Sequence, residues 1–152
     1  MDQFWKGGDR LERFRRWILW VFVFGLVGTI IELLLLQHFK DPWQFVPLVL
    51  IVSALVTVVW HTKRRNPSSL RALRIIMILF LISGFAGVGL HLRGAVEFQL
   101  ETDPTMNKWE LAKKVMVVTA PPLLAPGVML QLGLIGLAYT LSDSEGKRSE
   151  MP

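Results

Sequence analysis

One carboxylate, Glu32, stands inside a long apolar run, and two histidines, His38 and His91, stand at the ends of two such runs. An ionisable group within a helix of membrane-spanning length marks a site by default, because holding it near the helix centre costs about 2.5–3.5 kcal/mol. Protonated, Glu32 could bind a solute or pass a proton. It lies about one helical turn from the end of its run, so it could equally reach lipid headgroups or bond to a neighbouring hydroxyl. Neutral imidazoles with nearby carboxylates can hold zinc or iron, and a histidine pair on two helices can hold haem, which makes His38, His91 and Glu97 the metal candidates, with Glu101 and Asp103 close by. No HExxH or ExxH spacing supports them. His61, beside Lys63 and Arg64, reads as a headgroup contact. In the last apolar run the one strongly polar residue is Gln131, with Gly127 one turn earlier on the same face.

Other chemistries have little to use. With no cysteine the chain has no disulfide, thiolate metal site or cysteine nucleophile. It has no Gly-rich phosphate loop, no GxSxG elbow and no serine–histidine pairing with a clear third partner, and its GFAGVG fragment lies inside an apolar run. No cofactor is expected.

The elements that must position these residues are four apolar blocks, at 17–36, 43–60, 75–92 and 115–141. A bilayer core of about 30 Å is crossed by about 20 helical residues, and the blocks are of that size. Of the 152 residues, 52% are hydrophobic, and the charged ones crowd into the gaps between blocks, whereas a soluble domain would interleave them. The net charge of +5 does not indicate nucleic acid, because the basic residues flank the apolar blocks, where they anchor helices against headgroups. Twelve of the 17 Lys and Arg residues fall in the N-terminal arm, the second gap and the tail, so the positive-inside rule puts both termini in the cytoplasm. Lys108, Lys113 and Lys114 vote against this, and a re-entrant fourth segment is the competing topology. The first block is too long for a secretory h-region and no small-residue cleavage site follows it, which predicts a retained signal-anchor helix.

Small residues at helical spacing predict the packing faces. Gly25, Gly28, Thr29 and Glu32 share one stripe of the first helix, and Ser53, Ala54, Thr57 and His61 one stripe of the second. Gly84, Gly87 and His91 share one of the third. Trp43 and Trp60 match aromatic belts at the two ends of the second span, and Pro47 falls early enough to be tolerated there. Asn66 and Pro67 read as a helix cap and first position. Val96, Phe98 and Leu100 alternate with Glu97, Gln99 and Glu101, the period of a half-buried strand. Asn107 with Glu110 predicts the start of an interfacial helix over about 107–119, anchored by Trp109. The fourth block is overlong and carries Pro121, Pro122 and Pro126, which predicts a break near 119–122 and a span over 122–141. The tail, 142–152, is polar enough to be disordered.

The stretch 91–141 contains Gly94, Glu97, Phe98, Glu101 and Pro104. Further on come the segments APG (Ala125, Pro126, Gly127), QLGL (Gln131 to Leu134) and GLAYT (Gly136 to Thr140). In these it resembles a group of small, uncharacterised four-helix proteins of the bacterial inner membrane. The resemblance covers the last third of the chain and implies that membrane without implying any activity.

These observations predict an all-α integral membrane four-helix bundle, one transmembrane domain over 1–141, multi-pass in the bacterial inner (cytoplasmic) membrane. A structured outer loop is expected between the third and fourth spans. The first functional expectation is a non-enzymatic protein, self-associating or an accessory subunit of a membrane complex, whose partners are the lipid bilayer and either its own copies or a larger assembly. The alternatives are a small solute or proton-coupled transporter using Glu32, Gln131 and the broken fourth segment, and a metal- or haem-binding membrane oxidoreductase using His38 and His91.

Overall fold

The computed structural model describes residues 2–37, 42–117 and 124–149, with side chains over 10–37, 42–117 and 126–142. Five α-helices follow one another, and no strand occurs among the described residues: α1 Asp2–Leu35, α2 Phe45–Arg64 after a single 3-10 turn at Pro42–Gln44, α3 Pro67–Thr102, α4 Lys108–Val117 and α5 Leu124–Ser149.

Local chemistry sets the boundaries. The basic arm is already helical, with Glu12 and Arg16 paired one turn apart at 3.2 Å. The chain leaves α1 through Gln37, which takes the left-handed conformation (φ 51°) while its N–H donates to Leu34 O at 3.1 Å. Pro47 occupies the third position of α2, where its missing N–H has no partner to lose. Arg65 closes α2 in the left-handed region, its N–H donating to His61 O at 2.8 Å. Asn66 then caps α3 by accepting from Ser69 N at 2.8 Å, with Pro67 first in the helix, as the sequence predicts. Asn107 Oδ1 likewise accepts from the Trp109 and Glu110 amides at 3.0 and 2.9 Å and starts α4.

Three expectations fail. The segment 96–101 is not a strand: α3 continues through it to Thr102. The period of two was set by only three apolar residues, while Arg93 and Glu97 bond at helical spacing (2.7 Å). The loop thus shrinks to the turn 103–107 followed by α4. Residues 142–149 continue α5 as helix where disorder was expected, consistent with the low cost of extending a helix already nucleated. Third, the face assigned to α1 is rotated. Gly25 and Thr29 pack inward, but Gly28 has nothing within 4 Å of where a side chain would begin, and Glu32 is exposed. The proposed break at Pro121 and Pro122 lies outside the described residues; Pro126 is the third residue of α5 and is tolerated there as Pro47 is in α2.

Helices α1, α2, α3 and α5 surround one core built from Phe22, Leu26, Ile51, Ala54, Leu73, Met77, Phe80, Met129, Leu132 and Tyr139. The closest seam joins α3 and α5, α2 packs on α3, α1 packs on α5, and α4 rests on α3. Glycines permit the α3–α5 seam. A methyl group on Gly84 would lie 2.7 Å from the Leu130 side chain and 3.1 Å from Pro126 O, and one on Gly133 would lie 2.8 Å from Leu81 and 3.1 Å from Met77 O. Side chains were predicted to be small at Gly25, Gly84 and Gly87 for this purpose, and each abuts α5.

The outer faces of the long helices carry many large apolar side chains. Phe24 is 80% exposed, Trp17 and Trp20 70%, and Val49, Val56, Ile82 and Phe85 are exposed as well. Three helices, Arg10–Leu35, Pro42–Arg64 and Pro67–Thr102, are long and apolar enough to cross a membrane, and Pro126–Ser142 is a shorter apolar helix. So large an exposed apolar surface is compatible with a membrane protein and foreign to a soluble monomer.

Candidate functional site

At the end of the structure where α1 finishes and α2 begins, the four long helices part around a half-open cavity of about 930 Å3. Its long wall is one face of α3, where Leu79, Ser83, Ala86, Gly87, Leu90, His91, Gly94 and Ala95 recur at helical spacing. Ser83, Ala86, Gly87, Gly94 and Ala95 are small, so α3 cannot fill the space between itself and α2. The opposing walls are Thr29 and Leu33 of α1, the turn Pro42–Gln44 with Val46, Pro47 and Leu50 of α2, and Pro126 and Met129 of α5. Gly87 serves two purposes: a methyl group there would stand 3.2 Å from the Pro126 ring, whereas one on Gly94 would meet nothing within 4 Å.

No charged side chain lines this cavity among the described residues, and its polar groups are Thr29, Gln44, Ser83 and His91. Thr29 spends its hydroxyl proton on Gly25 O at 2.8 Å. Such a lining suits an apolar ligand with one polar end, and the volume is within the usual range of small-molecule sites. The cavity is half open, so what surrounds the helices can enter it.

The residues singled out from the sequence do not converge. Glu32 and Gln131 are both exposed. His91 is exposed at the cavity. Glu97 accepts from Arg93 Nε at 2.7 Å, and about 100° per residue turns it away from the face that carries His91. His38 lies outside the described residues. No group of three or more His, Asp or Glu residues able to hold a metal ion occurs among the described residues.

A polar cluster at the opposite end escaped the sequence reading. His61 is not a headgroup contact: it is 2% exposed, its Nδ1 lies 2.9 Å from Ser69 Oγ, and its ring meets Tyr139 edge-on at 5.9 Å. Ser69 has one hydroxyl proton and gives it to Asn66 O at 2.9 Å, so the imidazole Nδ1–H is the donor in the pair. Its stripe-mates Ala54 and Thr57 are buried as predicted. Arg74 donates to Thr140 O at 3.3 Å and Arg15 donates to Ser142 O, so two guanidinium groups hold α5 where its apolar segment ends. The signal available beforehand was His61 and Ser69 flanking a capped two-helix corner.

Outside the apolar segments, Asp103 accepts from the Thr105 hydroxyl at 2.7 Å and from Thr105 N–H at 3.1 Å, and these bonds hold its carboxyl below the ordinary carboxylate value. In α4 the Lys113 ammonium stands 5.1 Å from the centre of the Trp109 ring, a cation–π contact that fixes the exposed indole.

The class these features define is an all-α protein whose long apolar helices are compatible with a membrane and enclose a side cavity. No family model matches the chain, and no curated protein or solved structure matches it.

Proposed function

We propose that the chain is a four-crossing integral membrane protein with α1, α2, α3 and α5 as its spans and both termini in the cytoplasm of a bacterial inner membrane. It acts by association, as a self-associating unit or an accessory subunit, and not by catalysis. The observation that carries this reading is the distribution of polarity. Among the described residues the buried polar side chains are Thr29, Thr57, His61, Ser69 and Thr140, each hydrogen-bonded to a neighbour and none a carboxylate or an amine, and the buried cationic atoms belong to the half-buried Arg15 and Arg74 at one end of the bundle. Glu32 and Gln131 instead lie on outward faces of α1 and α5, where a polar group surrounded by hydrocarbon is best satisfied by another protein. Transport would need those groups on a shared interior path.

The test is purification in a mild detergent, with mass measured by light scattering and co-purifying proteins identified by mass spectrometry. A defined oligomer or a stoichiometric partner, weakened by Glu32→Leu, is expected. A stable, partner-free monomer would overturn the reading. Proteoliposome flux that vanishes with Glu32→Gln would return the transport alternative.

A further inference from the structure

We propose that the cavity holds one hydrocarbon chain of a membrane amphiphile, with its polar head at the end carrying Gln44 and His91. This rests on the membrane reading above and adds a ligand class to it. Three observations lead there. The wall of α3 from Leu79 to Ala95 is about 24 Å long at 1.5 Å per residue, so the cavity is elongated like an extended chain. Its body is apolar, and water, which needs two to four polar partners, has few there. At its opening the lining residues Val46 and Ile82 are exposed and Val49 beside them is exposed on the outer face, so on the membrane reading the medium there is hydrocarbon. The cavity exists because α3 places Ser83, Ala86 and Gly94 where a packed helix would carry large residues.

A source of the chain can be a phospholipid or a free fatty acid, and the experiment separates the two. The full-length protein is reconstituted in phosphatidylcholine–phosphatidylglycerol vesicles containing a trace of phospholipid with a diazirine on its acyl chain, or of the corresponding diazirine fatty acid. After photolysis the adducts are mapped by peptide mass spectrometry. The expected result is adducts concentrated on the cavity walls in 43–50 and 82–95, with the more efficient probe identifying the source. Gly94→Leu, which adds a side chain into open space, and Ala86→Phe should each lower cavity labelling five-fold or more. Val56→Phe, on an exposed face outside the cavity, should leave it unchanged. Labelling spread evenly over the exposed faces of α1, α2 and α3, or cavity labelling indifferent to both filled variants, overturns the proposal. So does an absence of adducts on the walls, the result expected if a second copy fills the space. The wild-type map needs no variant to fold. Retention in the membrane pellet after alkaline carbonate extraction is scored separately, and its loss would count against the membrane reading itself.

Discussion

Replacing Gly84 with leucine, and Gly28 with leucine as its partner experiment, isolates the contribution of the α3–α5 seam. The two substitutions are chemically identical, both fall within apolar helices, and both remove a helix-interior glycine, which alone is worth about 0.5–1 kcal/mol in favour of the variant. They differ in what the new side chain meets. At Gly84 even the first carbon would stand 2.7 Å from Leu130 Cγ and Cδ2 and 3.1 Å from Pro126 O, whereas ordinary carbon contacts lie at about 3.5–4.0 Å. The backbone oxygen cannot swing aside as a side-chain end can, so α3 and α5 must separate. Overpacking of this kind costs about 1–3 kcal/mol, and three further carbons put leucine at the upper end or beyond. At Gly28 nothing lies within 4 Å, and leucine simply extends an apolar outer face. For a chain of this size about 1 kcal/mol corresponds to about 2–4 °C in Tm. Thermal unfolding in detergent, followed by tryptophan fluorescence, should show Gly84→Leu melting about 6–12 °C lower than wild type, taking roughly 3 kcal/mol at that conversion. Gly28→Leu should melt at or above wild type. Equal melting of the two variants, or a Gly84→Leu protein as stable as wild type, would refute the close seam and the register of α5 on α3.

Other outcomes follow from single contacts. Ser69→Ala leaves the buried His61 Nδ1–H without its acceptor and should cost about 1–3 kcal/mol, while the double variant His61→Phe, Ser69→Ala recovers part of it; strictly additive losses in melting experiments would contradict the pair. In the dissociated protein Glu32→Gln, on an exposed face, should change stability by less than about 0.5 kcal/mol, and a large loss there would show that Glu32 has a partner within the chain. The Asp103 carboxyl is held below its ordinary value of 3.8, so its bonds to Thr105 contribute stability above the unfolded pKa and lose it as pH falls through the folded one. An NMR titration of the Thr105 amide should therefore show a midpoint below 3.8, and a midpoint at or above it would exclude the bonded turn.

The helices were legible because apolar runs of spanning length leave the chain few other options, and the caps at Asn66 and Asn107 because their side chains do a job that few residue types can do. What failed turned on rotation and on space. The stripe of Gly25, Gly28, Thr29 and Glu32 is wider than the strip that touches α5, so spacing alone could not tell that Gly25 and Thr29 face inward while Gly28 and Glu32 look out. Alternation at Val96, Phe98 and Leu100 fits a strand, yet Arg93 and Glu97 were already spaced for a helical pair. The cavity was invisible for a different reason. Of its small residues only Gly87 falls on a predicted packing stripe, with Gly84 and His91, and nothing in the spacing tells that Ser83, Ala86 and Gly94 face open space.

The length of α3 has a mechanical consequence. Its 36 residues make a rod of about 54 Å, well beyond a hydrocarbon layer of about 30 Å. From Arg74 to Arg93 the rise is about 28 Å, so two guanidinium groups bracket one layer thickness along a single rigid element. Beyond Arg93 the helix stands on as a short mast, from which α4 hangs through a closed turn. In a bilayer this makes the chain a gauge. A thicker layer must either draw Arg93 and Glu97 below its surface or thin around the rod, and a thinner one must let the rod tilt. Each would carry α4 to a new height above the lipid.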